Sequence, residues 1–388
     1  PERSRALDTS SVVTPRRVVP LNAPSFTDAE AESVLAALKS GWVTGGAAVT
    51  KLEQDFAAYC GRRYGVACSS GTAALWLAFK AIGLGPGRRV LSQDFTCDAV
   101  VNAAGFATHA PPLLVDVEPG TWGIPVAQVA VALHEHPEIG AVVVAHMYGV
   151  PSRDTEKVAK LCREAKTWCI EDASEAHGAR LGERMIGSFG DVSVFSFRGE
   201  KILSGGQLGM VLTDDEDVAR RAHQFAHCGL PADSVRFWAT EFAFNCQPSN
   251  LNAALAVAQL ERIDALIKAR RALHDRYTEL FAAAPGVDFQ GAHGAPVWWL
   301  TAITYTPAFS AILPQDLMAG LAEYGVQSRP GFYPLSFYPH CEGQAVTPCP
   351  VSERLLRQAI ILPSGPTLTS EDQDYVVWAI QRVTGRAW

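Results

Sequence analysis

Apolar and polar positions change period repeatedly along the chain. From Thr27 the spacing is helical: Thr27-Asp-Ala-Glu30 sets a hydroxyl and a carboxylate where a capping box satisfies free amides, and Gly41 closes the segment. Thr50-Lys-Leu-Glu53 repeats the device and predicts a second helix running to Gly61. Tyr64-Gly-Val-Ala-Cys68 is an apolar run of strand length, and a third helix is expected to open at Gly71-Thr72. Strand-like runs at 89–92, 112–116, 141–144, 167–170, 192–197 and 208–212 then alternate with helical patterns near 97–107, 124–135 and 153–166. Such alternation predicts an α/β fold with a mostly parallel central sheet sandwiched by helices. No helical pattern separates the last two runs, so an antiparallel excursion is expected there.

The second half reads differently. Leu251, Ala254, Leu255, Ala258, Leu260, Ile263, Leu266 and Ile267 keep a helical period through 249–284 without Gly or Pro, predicting one long helix that links two domains. A strand at 298–304, a helix at 314–324, a Pro- and aromatic-rich loop at 330–350 and a final helix capped by Ser370 and Gln373 follow. The expected organisation is a loose polar tail at 1–18, a large domain at 19–260 and a smaller C-terminal α/β domain at 261–388. The start at Pro1 in place of Met is read as trimming.

Composition narrows the function classes. At ~150 residues per domain, 388 residues suit two domains. With 48% hydrophobic and 19% charged residues the chain is globular and not disordered. A net charge of −7 argues against a sequence-independent binder of phosphate backbones, so no nucleic acid partner is expected. The longest apolar runs fall short of the ~20 residues that span a bilayer, and no signal-peptide pattern opens the chain, so a cytoplasmic protein without membrane association is expected. Nine cysteines without a Cys-x-x-Cys pair suggest neither a disulfide framework nor a zinc knuckle, and no metal is expected.

In open parallel sheets, ligands bind beyond the carboxyl ends of strands. Past the 64–68 run, Ser69-Ser-Gly-Thr72 opens a helix with small residues, free amides and a hydroxyl, which suits a phosphate as well as an ordinary helix cap. Past 167–170 stands Glu171-Asp-Ala-Ser-Glu175, where Asp172 could equally cap the following turn. Past 192–197 come Arg198-Gly-Glu-Lys201 and the glycine-dense Ser204-Gly-Gly-Gln-Leu-Gly209. A lone lysine is usually a solvated charge. Together, phosphate donors, then an acid about 100 residues on, then a lysine in a Gly-rich loop match what pyridoxal 5'-phosphate demands: an imine-forming amine, a carboxylate for the ring nitrogen and a phosphate cradle.

The motifs Ser40-Gly-Trp-Val-Thr44, Ser70-Gly-Thr-Ala-Ala-Leu75, Glu171-Asp-Ala-Ser-Glu-Ala-His-Gly178, Gly187-Ser-Phe-Gly-Asp191, Phe195-Ser-Phe-Arg-Gly-Glu-Lys201, Asn245 with Ser249-Asn-Leu-Asn-Ala-Ala254, and Leu362-Pro-Ser364 recur in order. In this the chain resembles the DegT/DnrJ/StrS-type sugar aminotransferases, fold type I enzymes that use pyridoxal phosphate, and within them the perosamine-synthase-like branch. The resemblance runs from Val19 to about Val383. It implies that Lys201 carries the cofactor as a Schiff base and moves protons, that Asp172 pairs with the ring nitrogen, and that Glu175 stands where Gln is usual. It further implies that Gly71, Thr72 and Ser196 hold the phosphate, that Asn245 reaches the cofactor phosphate of a neighbouring subunit in a homodimer with shared active sites, and that pyridoxamine phosphate carries the amine between half-reactions.

The implied substrates are an amino-acid donor, glutamate or glutamine, and a keto sugar linked to a nucleotide, in amino-sugar or natural-product biosynthesis. Cys97 occupies the place of a ring that stacks on the cofactor, and Trp42, Arg329 and Tyr333 are assigned to the substrate region. Two alternatives stand beside this: a sugar dehydratase of the same family, in which His often replaces the lysine, and a cofactor-binding regulator without turnover. Lys201 argues against the first, and Lys201, Asp172 and Glu175 together argue against the second.

Overall fold

The computed structural model describes residues 17–232, 235 and 237–388. The tail expected at 1–18 lies outside this range except for Arg17 and Val18.

The chain opens with α1 (Asp28–Lys39) and α2 (Ala47–Cys60). In α1 the capping box forms as expected, with Glu30 reaching back to the Thr27 amide at 2.7 Å. Helix α2 corrects the sequence reading. It starts at Ala47, not Thr50, because Asn250, distant in sequence, accepts from the Ala48 amide at 3.1 Å and caps the helix from outside. Glu53, freed from a local cap, accepts instead from the Ala67 amide at 2.9 Å.

The body of the chain supplies β1 (Tyr64–Cys68), α3 (Gly71–Ala81), β2 (Arg89–Gln93), α4 (Ala99–Thr108), β3 (Leu113–Val115), α5 (Val126–Glu135), β4 (Ile139–Ala145), α6 (Thr155–Ala165) and β5 (Trp168–Asp172). A small hairpin, β6 (Arg180–Leu181) with β7 (Arg184–Met185), precedes β8 (Val192–Ser196), β9 (Gly209–Thr213) and α7 (Glu216–Ala226). Seven strands form one sheet in the order β1-β9-β8-β5-β4-β2-β3. Neighbours from β8 to β3 are parallel, whereas β9 runs antiparallel to both β8 and β1. The antiparallel excursion therefore falls where no helix separates the strands. Alternate residues of β4 enter different cores: Ala141 and Val143 pack under α3, α4 and α7, and Val142 and Val144 face α2, α5 and α6. Burial on both faces is why that strand reads as a continuous apolar run.

The periodic stretch predicted as one helix is two, α8 (Asn250–Glu261) and α9 (Ile263–Leu280), separated at Arg262. Arg262 is drawn off the helical path toward Glu30, 2.9 Å away, and the carbonyl of Ser25. Along α9 the packing partner changes: Ile263 and Ile267 join the core of the large sheet, and Leu273 and Tyr277 join a separate core. That core belongs to a four-stranded antiparallel sheet made of β10 (Val287–Phe289), β11 (Thr301–Tyr305), β12 (Arg329–Pro330) and β13 (Ala359–Leu362), with α10 (Pro314–Glu323) and α12 (Ser370–Thr384), whereas Leu355 of α11 (Pro350–Gln358) joins the core of the large sheet. The strand expected at 298–304 begins later because Trp298 takes a positive φ of 51°. The cap of α12 is shifted by one residue: Thr369 and Asp372 exchange hydrogen bonds, and Gln373 is buried against the carbonyl of Leu273. Among the described residues no helix is long and apolar enough to cross a membrane.

Candidate active site

At the carboxyl ends of β4, β5 and β8 lies a cavity of ≈ 290 Å³. Gly71, Thr72, Cys97, Asp172, Glu175, Ser196, Lys201 and Arg329 all line it. Strand alternation decides which acid enters. Asp172 faces the cavity, while Glu171 points to the opposite side and is fully buried. There it accepts from the amides of Gly187 at 2.8 Å, Phe189 at 2.6 Å and Gly190 at 2.8 Å. Burial alone would raise its carboxyl, but His146, the Gly190 amide and Arg62 outweigh that and hold its pKa below the usual range. Glu171 is thus a structural anchor. The sequence could not separate it from Asp172, and the pleat does.

Helix α3 points its first turn into the cavity. Ser70 caps it, accepting from the Ala73 amide at 3.1 Å, so the amides of Gly71 and Thr72 face outward at the positive end of the helix. A Cβ on Gly71 would stand 2.8 Å from the Ser196 Cβ, and one on Gly209 would stand 2.1 Å from the Ser70 carbonyl oxygen. The two glycines let β8, β9 and the helix start converge on a space suited to a phosphate.

Lys201 sits in the loop between β8 and β9, its amide bonded to the Arg198 carbonyl at 2.8 Å. Its Nζ is 3.3 Å from Glu175 Oε1 and 3.5 Å from the ring centre of Trp299. Glu175 is fixed in turn by the Tyr148 amide, which donates to Oε2 at 2.7 Å. Cys97 lines the same wall, and burial pushes its thiol up to about 12, so it is a neutral SH group at ordinary pH. Arg329 lies against three rings, those of Trp299 at 5.2 Å, Phe332 at 5.4 Å and Tyr148 at 5.9 Å. His177, from the same motif as Asp172, is packed edge-on against Phe195 and Phe197, and burial lowers it to about 3. It belongs to the core.

Three residues named from the sequence stay outside the cavity. Trp42 is 69% exposed and Tyr333 54% exposed. Asn245 is exposed on the segment that pairs with His227, beside Cys246, whose carbonyl accepts from the Ser69 amide at 2.9 Å. Conversely, the sequence reading missed Trp299, His146, Gln207 and Phe332, which all line the cavity. Phe332 lies in the Pro- and aromatic-rich loop at 330–350, close to Arg329. The Trp298-Trp299 pair reads only as strand in the sequence, and no spacing rule links it to Lys201.

The residues present fit pyridoxal phosphate: a buried carboxylate, a primary amine and a glycine-lined helix N-terminus share one enclosed space of mixed polarity. Among the described residues no group of three or more His, Cys, Asp or Glu could hold a metal ion.

Comparison with known proteins agrees with this geometry. A profile of the DegT/DnrJ/EryC1/StrS aminotransferase family matches residues 24–381. A GDP-perosamine synthase of Caulobacter vibrioides is 31% identical over 368 residues, covering 93% of this chain and 97% of that protein. The GDP-perosamine synthase of Escherichia coli O157:H7 is 31% identical over 365 residues, with 94% and 98% covered. Among solved structures, the aminotransferase TlmJ from Streptoalloteichus hindustanus superimposes with a TM-score of 0.87 at 26% identity, covering 95% of this chain and 99% of that one.

Proposed function

The chain belongs to the DegT/DnrJ/EryC1/StrS aminotransferase family, and from that premise we propose that it moves the amino group of glutamate or glutamine onto a keto sugar carried on a nucleotide. It is a pyridoxal-phosphate-dependent sugar aminotransferase. The nucleotide link is supported by relatives named for a GDP-linked sugar that match over nearly their whole length.

One observation carries the assignment of residues: Lys201 Nζ lies 3.3 Å from Glu175 in the cavity that Asp172 and the start of α3 also line. Pyridoxal phosphate supplies a carbon that accepts the amine and a ring that withdraws electrons. Lys201 is the amine that holds it and then the base that carries the substrate proton, a dual task that requires the neutral amine once released. Glu175, itself held by the Tyr148 amide, fixes the resting place of Nζ. Asp172 supplies the negative charge that keeps the ring nitrogen protonated. Gly71, Thr72 and Ser196 hold the phosphate through amides and hydroxyls. Cys97 would offer the cofactor a small neutral wall.

Trp42, Tyr333 and Arg329 receive the sugar nucleotide at the mouth. Asn245 serves the cavity of a second copy, so the active form is a dimer, and the exposed aromatic residues around it are the surface to be covered. The chain is proposed to work in the cytoplasm and to divide near residue 260 into two domains, a division supported by the break at Arg262 and the two separate sheets.

The test is spectroscopic. Wild-type protein is expected to show a ~410–430 nm band that converts toward ~330 nm on adding glutamate or glutamine, and Lys201→Ala is expected to lack it. A band that no amino donor converts would overturn transamination.

A further inference from the structure

Arg270 is 1% exposed, on α9 where its packing passes from one core to the other, and among the described residues no carboxylate lies within ion-pair distance of it. Burial pushes its pKa down to about 9, which still leaves it charged at neutral pH. A buried cation without an anion is costly, and Met or Leu would fill the space without that cost. Its contacts indicate what the charge does. Nη1 donates to the carbonyl of Trp299 at 2.7 Å and to that of Ser364 at 2.9 Å, and Nη2 donates to Asn22 Oδ1 at 3.2 Å. The same two partners, Trp299 and Asn22, converge again on one atom. Trp299 Nε1 donates to the Glu200 carbonyl at 2.7 Å, and Asn22 Nδ2 donates to it at 2.5 Å. Glu200 immediately precedes Lys201, and the Trp299 ring lies beneath Lys201 Nζ.

We propose that Arg270 is a positioning residue for Lys201: its planar fork orients Trp299 and Asn22 so that both clamp the Glu200 carbonyl and hold the lysine over the Trp299 ring. Three segments far apart in sequence meet at this guanidinium, and only a fork with donors in fixed directions reaches all of them. A lysine at 270 keeps the charge but not the geometry.

The inference rests on Lys201 being the reactive amine, which borohydride trapping of the cofactor on wild-type protein, read by peptide mass spectrometry, checks separately. Arg270→Lys, Trp299→Phe and Asn22→Ala are compared in the cofactor-loaded enzyme by kcat, KM, rate of borohydride-trapped cofactor at Lys201 and melting temperature. Arg270→Lys is expected to lower kcat about tenfold to a hundredfold and to slow trapping per folded molecule, with KM for the amino donor little changed. Trp299→Phe keeps an aromatic ring but removes the indole N–H that donates to the Glu200 carbonyl, so it should lower kcat in the same direction. Combined with Arg270→Lys it should add little, because both act through one carbonyl. The proposal is overturned if Arg270→Lys lowers only the melting temperature, or if the two effects on kcat multiply. Should Arg270→Lys fail to fold, Trp299→Phe and Asn22→Ala decide: unchanged kcat and trapping in both overturns it.

Discussion

At the floor of the cavity Asp172, Glu175 and Ser196 are each less than a tenth exposed, and every one of them has a partner from its own chain. Outside the cavity Trp42 is 69% exposed, Trp238 66% and Phe242 100%. The floor stands where strand ends and a helix start converge, so close packing sets its polar groups. These aromatics are carried on connecting segments whose apolar surface this chain does not cover, a pattern that marks a surface awaiting a partner. Apart from Asn245, the residues assigned to the cofactor thus meet within one chain, whereas substrate and subunit recognition is assigned to parts that one chain leaves open.

Lys201→Ala should produce the largest contrast: loss of turnover by about 10⁴-fold or more with the melting temperature of the apoprotein nearly unchanged, measured by donor half-reaction and calorimetry. Glu171→Ala should do the reverse. Its removal orphans three amides beside Arg62 and should cost about 4 kcal/mol of stability in denaturant titration, although the residue never touches the cavity. If activity per folded molecule fell as well, the separation of the two neighbouring acids would be wrong.

Glu53, which ties α2 to the strand leading into the floor, should make stability depend on pH. Burial raises its carboxyl to about 7 from 4.5, against the smaller opposing pull of the Ala67 amide. The folded state therefore binds this proton more tightly. Its contribution is fully present below about pH 4.5 and is lost as pH rises through about 7, a difference of roughly 3 kcal/mol. Melting temperature should show this slope, and Glu53→Gln should flatten it.

The exposed segment that carries Phe242 and Asn245 should respond least. Asn245→Ala is expected to lower activity about tenfold without changing the melting temperature. Phe242→Ser should weaken self-association in sedimentation on dilution. A monomeric wild type, active at all dilutions, would leave that segment without its proposed role.

Periodicity identified the helices and sheet strands of the first half well because β4 and its neighbours are buried on both faces, which writes unbroken apolar runs into the sequence. It failed where a distant residue intervened. Thr50 lost its capping role to Asn250, and the stretch at 249–284 was broken by the pull of Glu30 on Arg262. The short strands β10, β12 and β13 gave too few alternations to detect. In the site, Gly71, Asp172 and Lys201 were legible because each lies at the end of a local pattern. Trp299 and Arg270 were not, since their significance is a meeting of segments at 22, 200, 299 and 364.

The order of the chemistry-bearing residues, their placement past strand ends and the family they indicate were therefore determined by the sequence alone, because local hydrogen bonding and side-chain period act over a few residues. Which of two adjacent carboxylates faces the cavity, which ring lies under the lysine and what holds the lysine there were decided only by the tertiary structure. Pleat direction and long-range packing are properties of segments brought together, and no local pattern encodes them.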